Sequence, residues 1–570
     1  MSRKRCVSLL IGSLLGFPAT PVHAQQADAP YTPLVQTEMG EKLHAWLTRA
    51  EAFGLHGAVL IEQDGRVILR RGYGLADREE ERPITVRTRF DIGSLSKQFT
   101  AAAVAYLVEG GKLTWNQTLS EVLPDVPADK AEITLHQLLT HTAGLPYQPP
   151  RGRLLDATLV SEPGEGFVYS NVGYGLLGQI VEEAGEQTLE ETCAELFRRA
   201  KVSGITASGR DAGWDDEAHG YVNDFDFGPP SRLRIDDSLK GAGGYACTVG
   251  ELYQWISSLE SGVALGTPTV ERMFTNHTGG RNGYGYGWFV LQTMRGTPLV
   301  QHMGDHNGFN SVLRRYRNEQ RTIVFLSNTF TQGRSLHEAV VNRLALMLAG
   351  RPVPNPPSVL PWSPLEAAPL AGEYITDRGR RYSVSVREDS LWISALNQDS
   401  LNVLFGVAAD PGTPSLLQDC ERRSRALLQA LRENDQSGIS DQANPTWVAA
   451  LRDLSEAYRR AEESCGQVLD VEILGTAILD SLIQNAQTLV ELRGTEGQER
   501  MDFTWTRRGA VGCDTGAQFP GIRLLRTGER RYGAFNLFTA KAVEARFTSE
   551  DSGPILTLDS GAVRDRALAE

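Results

Sequence analysis

Ser94 and Lys97 stand three residues apart in Gly93-Ser94-Leu95-Ser96-Lys97, ahead of the apolar run Ala101, Ala102, Val104, Ala105, Tyr106, Leu107 and Val108. On a helix this spacing puts both side chains on one face, about a turn apart. The start of a helix offers free N–H groups and a positive dipole end to a developing negative charge. A buried lysine loses its proton readily and can activate a serine nucleophile. Such a serine also needs a partner for the leaving-group proton and an oxyanion site. Tyr169-Ser170-Asn171 offers a phenol and an amide in a turn before an apolar helix. Beside a cation the phenol either stands as a phenolate or shares a proton with Lys97, and Asn171 can hydrogen-bond both Lys97 and a substrate amide. His302-Met303-Gly304-Asp305 ends an expected strand before a turn holding Asn307 and Gly308. Gly304 lets a substrate backbone approach the strand edge. The Asp305 N–H pairs with that of Ser94 as an oxyanion hole, while His302 orients the site or binds substrate. His141 reads as a histidine that fixes its loop rather than as a base. No CxxC or His/Cys cluster points to a metal, and no cofactor is expected.

These residues need elements to hold them. The spacing of Leu34, Met39, Leu43, Trp46 and Leu47 predicts a helix over 33–50. Gly57 to Glu62 and Arg66 to Arg70, joined by Asp64-Gly65, read as a hairpin. Thr134-Leu135-His136-Gln137 and Thr248-Val249-Gly250-Glu251 are capping boxes that start helices, and Val172 to Glu183 is a buried helix. Strands are expected over Tyr284 to Leu291, Pro298 to His302, Ser311 to Tyr316 and Thr322 to Asn328, then a helix over Leu336 to Leu348. Strands at both ends of a helical block suggest one sheet built from distant segments, with short turns making its late strands antiparallel. Prolines at 352, 354, 356, 357, 361 and 364 mark a stiff linker over 351–364. Beyond it, Tyr382 to Val386, Leu391 to Ile393 and a hairpin over 486–507 alternate as strands, with a polar helical pair at 415–433 and 447–463 between them. If that pair is an antiparallel hairpin, Cys420 and Cys465 approach each other and a disulfide is expected.

At 570 residues the chain has room for two or three domains. Arg3, Lys4 and Arg5, an apolar stretch from Val7 to Phe17, and Val22-His23-Ala24 read as a signal peptide over 1–24, cleaved near Ala24. The expectation is a periplasmic or secreted protein with no integral membrane segment after cleavage. Removing the leader takes three positive charges and no negative ones, so a net charge of −13 becomes −16. That balance argues against nucleic acid and anionic membranes as partners; a small-molecule or peptide substrate is expected, and the oligomeric state is left open.

In order, S-x-x-K, Y-x-N and H-x-G before a glycine turn resemble the motifs of the penicillin-recognising serine hydrolases. The match is closest to the branch holding class C β-lactamases, D-alanyl-D-alanine carboxypeptidases, D-aminopeptidases and esterases. Leu138-Leu139-Thr140-His141-Thr142-Ala143-Gly144-Leu145 and Gly241-Ala242-Gly243-Gly244 agree with it. The resemblance covers about 34–350 and implies an α/β fold: an antiparallel sheet flanked by helices, with a helical subdomain and the site between. It implies acylation of Ser94, proton exchange by Lys97 and Tyr169, substrate positioning by Asn171 and an oxyanion hole of the Ser94 and Asp305 amides. Region 365–570 resembles the small lipocalin-like β-barrels appended to some of these hydrolases, with a helical insertion at about 413–465. His302 stands where many β-lactamases carry the lysine of K-T-G, which removes a cation for a substrate carboxylate. Arg314 and Arg315 fall on opposite strand faces, one of them expected at the surface. The expectation is therefore an exported serine hydrolase that forms an acyl-enzyme and cleaves an amide or ester, with D-amino-acid peptides or small esters as substrates. The alternatives are a β-lactamase and a non-catalytic binding or assembly protein that keeps the fold. An α/β-hydrolase would need G-x-S-x-G, which the chain lacks.

Overall fold

The computed structural model describes residues 31–569 apart from 149–151, 211–212, 223–224, 234–235, 237–238, 294–295, 331–335, 388–389, 405–412, 443–447, 481–484, 507–508, 516–520, 538–540, 551–552 and 561–562. The expected leader lies outside the described residues. No described helix is long and apolar enough to cross a membrane.

Asp64 and Gly65 take φ of 52° and 75°, the double positive φ of a tight hairpin turn whose twist suits the flanking strands. The hairpin joins Gly57–Gln63 to Arg66–Tyr73, and Gly57–Gln63 pairs on its other side with Arg321–Ser327. Distant segments thus close one eight-stranded sheet, in the order 34–35, 66–73, 57–63, 321–327, 309–316, 298–306, 289–292 and 282–284. Every neighbouring pair is antiparallel. The strand expected over 284–291 is two strands, Asn282–Tyr284 and Phe289–Gln292. Between them Gly285 N–H closes a turn on the Trp288 carbonyl. The 298–302 strand runs on to His306, so His302 sits inside it rather than at its end.

Val59, Ile61, Ile323 and Phe325 pack under helices Thr37–Glu51 and Leu336–Leu348. Their alternates Ala58, Leu60, Val324 and Leu326 join the core of the helical block. Burial on both faces explains why Ala58 to Ile61 reads as an unbroken apolar run. Each large side chain so buried is worth about 1.5–3 kcal/mol. In the block, helix Lys97–Glu109 is buried nearly all round and packs on helix Asn171–Gly185; its alanines 101–103 let the two approach.

The linker leads into a closed barrel of eight strands: 372–376, 381–387, 390–395, 521–528, 531–536, 541–550, 553–559 and 564–569. Tyr374, Tyr382, Tyr532 and Phe547 are buried in its core. The Trp46 indole N–H donates to the Pro354 carbonyl at 2.9 Å and its ring meets Phe535 edge-on, centroids 6.4 Å apart, fastening the barrel to the helical layer.

The insertion is larger than the helical segment expected at 413–465. Helices Gln398–Leu404, Thr413–Arg432, Gln436–Gln442 and Val448–Cys465 are followed by a four-stranded sheet over 468–515. The hairpin expected over 486–507 belongs to that sheet and not to the barrel, because the apolar helix faces need a partner: Leu427, Leu431, Leu454 and Tyr458 pack on Val490, Phe503 and Trp505. Cys420 and Cys465 are free thiols buried in this core, so the expected disulfide is absent. The short helix Gln436–Gln442 intervenes between the two long ones, which do not form a simple hairpin.

Candidate active site

Ser94 does not begin the α-helix. It lies in a 3-10 turn, Gly93–Ser96, that feeds directly into the α-helix at Lys97. In 3-10 geometry residues i and i+3 eclipse, so the turn aligns the Ser94 and Lys97 side chains, with Lys97 Nζ 3.0 Å from Ser94 Oγ. Lys97 is fully buried. Its nitrogen also donates to Asn171 Oδ1 at 2.8 Å and to the Ala242 carbonyl at 2.7 Å. Burial drives its pKa well below that of a free lysine. In its neutral form the amine would have two N–H donors and one lone pair, so donation to Asn171 and Ala242 would leave the lone pair for the Ser94 O–H.

Tyr169 and Asn171 reach this point because their turn is bound to the loop 141–147. Val168 N–H donates to the His141 carbonyl and Asn171 N–H to the Tyr147 carbonyl, while Ser170 Oγ donates to Pro146 and caps the following helix by accepting from Gly173 N–H. His141 Nδ1 accepts the Ser170 N–H at 3.1 Å. With φ of 59° and a pKa held well below the imidazole range by burial, His141 serves as a loop fastener. Tyr169 has its phenol pKa raised well above the usual value by burial, which outweighs the opposing influence of the Ser94 hydroxyl. It rests as a phenol and not as the phenolate that the sequence left open, because the neighbouring lysine is itself desolvated. Its ring lies 5.0 Å from Lys97 Nζ, flanked by Tyr147 and by a parallel Phe289 with centroids 6.1 and 6.2 Å away.

The third motif forms the opposite wall. His302 is fully buried, its Nδ1 2.7 Å from the Met303 carbonyl and its Nε2 2.9 Å from the Tyr284 hydroxyl. Burial and then Lys97 push its pKa down to about 3. Nδ1–H donates, Nε2 accepts, and the ring is a neutral strut whose two nitrogens are both engaged. Gly304 is glycine for an internal reason and not for substrate access. A Cβ there would lie 2.0 Å from the Ile92 carbonyl oxygen, so the strand packs directly on the residue before the serine turn. The Asp305 carboxyl is about half exposed (49%) at the cleft, where it accepts Asn310 Nδ2 at 2.6 Å. The protein around it still desolvates it enough to raise its pKa to about 6.

Sequence reasoning passed over the Ala242 carbonyl, a backbone group that leaves no side-chain signal, and Tyr284, whose hydroxyl fixes His302. It placed one of Arg314 and Arg315 at the surface; both are buried. Arg314 donates to Gln301 and Asn342, and Arg315 pairs with Glu62 and Glu260. They do lie on opposite faces, as strand alternation requires, but each is bound to its own layer and turned away from the cleft.

The family model described as beta-lactamase matches residues 50–346, just over half of the chain. Penicillin-binding protein 4* of Bacillus subtilis (strain 168) is 25% identical over 391 residues, spanning 62% of this chain and 86% of that protein. Among solved structures, the octameric penicillin-binding protein homologue from Pyrococcus abyssi is 18% identical with a TM-score of 0.49, covering 93% of this chain and 99% of that one. A D-amino acid amidase from Ochrobactrum anthropi SV3 is 19% identical with a TM-score of 0.49, covering 55% of this chain and 99% of its own. With the family match spanning the segment that carries all three motifs, the chain belongs to the beta-lactamase family and is a serine hydrolase.

Proposed function

We propose that this hydrolase is exported, forms an acyl-enzyme on Ser94, and cleaves D-amino-acid peptides, their amides or small esters rather than β-lactams. The reading rests on one observation above all: a fully buried lysine whose nitrogen meets Ser94 Oγ, Asn171 Oδ1 and the Ala242 carbonyl within 3.0 Å. Lys97 takes the Ser94 hydroxyl proton as Oγ attacks the substrate carbonyl, and the Ser94 and Asp305 N–H groups hold the resulting oxyanion. Tyr169 gives its phenolic proton to the leaving nitrogen or oxygen, leaving the acyl group on Ser94. A water then attacks the ester and its proton goes to the Tyr169 phenolate. The Lys97 proton returns to Ser94 as the acid leaves, which restores the resting state.

Substrate choice follows from charge. The groups that would hold a β-lactam carboxylate are otherwise engaged: His302 is neutral and locked, and Arg314 and Arg315 are paired in the layers. Asp305 adds a carboxyl at the cleft that repels an anionic substrate and favours a free amine. Tyr147, Phe167 and Phe289 around Tyr169 and Tyr284 suit an aromatic or apolar acyl side chain. Export is supported by the basic, apolar and small-residue order of 1–24.

A fluorophosphonate and a fluorescent penicillin, applied separately to wild type and Ser94→Ala, test the reading. Expected are fluorophosphonate labelling lost in Ser94→Ala, weak penicillin labelling, and turnover of D-amino-acid amides and short esters above that of nitrocefin. Efficient nitrocefin turnover would move the assignment to a β-lactamase. Wild type inert to both probes would leave a binding protein.

A further inference from the structure

Asp91 is fully buried one residue before the serine segment Ile92-Gly93-Ser94, and nothing in the chemistry above uses it. Its Oδ1 accepts the Gly93 N–H at 2.8 Å and lies 3.2 Å from His306 Nδ1; its Oδ2 accepts Ser208 Oγ–H at 2.5 Å. Gly93 starts the turn that carries the Ser94 amide, and His306 follows Asp305 on the strand that carries the other amide. The two backbones already touch: with φ of 48°, Gly93 stands so close to the strand that an added Cβ would lie 2.9 Å from Asp305 N. Ser311 Oγ, donating to the Ile92 carbonyl at 2.7 Å, ties the same turn to the sheet on its other side.

We propose that the Asp91–His306 pair is the strut that sets the spacing of the two oxyanion-hole amides, making both of them positioning residues for acyl transfer. This rests on the hydrolase reading above. Of the described charged groups, Asp91 is the one set against His306. Burial lowers the His306 pKa, but the facing carboxylate and their hydrogen bond reverse the sign and leave it raised. Ser208 and the Gly93 N–H hold Asp91 in place, so the His306 ring is the movable half of the pair. An oxyanion donor removed outright costs about 10²–10³ in kcat, and a misplacement of about 1 Å costs up to about 10². Loosening the strut should therefore cost roughly 10- to 100-fold.

The test compares wild type, His306→Gln, Asp91→Asn and Ser94→Ala on 4-nitrophenyl butyrate, with a phenylboronic acid as the tetrahedral oxyanion mimic. In both strut variants kcat should fall roughly 10- to 100-fold with KM little changed. Boronate affinity should fall in parallel, with thermal midpoints close to wild type for His306→Gln, whose side chain is partly exposed. The kcat of wild type should fall at high pH as His306 deprotonates, and His306→Gln should lose that limb. A merely structural role would move the midpoint but not the boronate affinity or the pH limb. If both variants keep wild-type kcat and boronate affinity while Ser94→Ala is dead, the strut is refuted and the hydrolase stands. If wild type neither turns over the ester nor binds the boronate, the hydrolase reading falls and the strut with it.

Discussion

Replacing Lys97 with methionine separates what the buried amine does for catalysis from what it costs the fold. Methionine matches the length and apolar stem of lysine, so the helix start should keep its packing. Activity should fall by about 10²–10⁴ in kcat, the share that a positioned base contributes. Stability moves for a different reason. The native pKa of Lys97 is depressed by burial, whereas an unfolded lysine titrates near ~10.4. Between those two values the unfolded state binds one more proton than the native state, so wild-type stability rises with pH by about 1.4 kcal/mol per unit. Lys97→Met lacks this linkage. At pH 7 the variant escapes the cost of stripping the proton from lysine, but leaves Asn171 Oδ1 and the Ala242 carbonyl without a donor, at about 1–3 kcal/mol each. These terms nearly cancel, so the pH slope is the sharp observable. Urea unfolding of both proteins at pH 7, 8 and 9, followed by the buried tryptophans of the hydrolase domain, gives the paired difference from which other titrating groups drop out. Wild type should gain on Lys97→Met by about 1.4 kcal/mol per pH unit. A flat difference means that Lys97 is an ammonium in the native state, and the neutral-base chemistry is then wrong.

Three further substitutions probe the other walls. Tyr169→Phe should cut the acylation rate on amides by about 10²–10⁴ but the nitrophenolate burst from 4-nitrophenyl esters far less, since nitrophenolate leaves without a proton; equal losses in the two acylation rates would remove Tyr169 from the leaving-group role. Gly304→Ala drives a methyl to within 2.0 Å of the Ile92 carbonyl oxygen and should cost about 1–3 kcal/mol or more, with a fall in kcat as the Asp305 amide shifts from Ser94. Wild-type stability and kcat in that variant would contradict the packing described. His302→Lys restores the cation of K-T-G but buries it and strips the Tyr284 hydroxyl of its acceptor, about 1–3 kcal/mol for that group alone. Its melting midpoint should drop and nitrocefin turnover should not appear.

How much of this was readable beforehand depends on where each residue's reason resides. The Asp64-Gly65 hairpin and the Thr134 and Thr248 capping boxes are local chemistry, and local chemistry is legible: the turn glycine and the cap hydroxyl act within four residues. Ser94, Lys97, Tyr169 and Asn171 were legible as types in an order, and helical spacing correctly brought the first two together. What spacing cannot carry is the balance of burial against charge. A phenolate at Tyr169 is reasonable beside an ammonium, but the cavity that desolvates the lysine also desolvates the phenol, which lowers the pKa of the first and raises that of the second. Gly304 shows the same limit from the packing side. Its glycine is read equally well as room for substrate or as room for the chain, and only the position of the Ile92 carbonyl decides. Asp91, adjacent to the best-read motif in the chain, was missed because its partners Ser208 and His306 lie 117 and 215 residues away. The residues that do the chemistry carry a pattern that can be read along the chain, whereas those that hold them in register are defined by contacts that only the fold creates. On the acyl-transfer chemistry proposed above, the second group would set how the Ser94 and Asp305 amides converge on one oxygen, so the substitutions most informative about rate lie outside the three motifs.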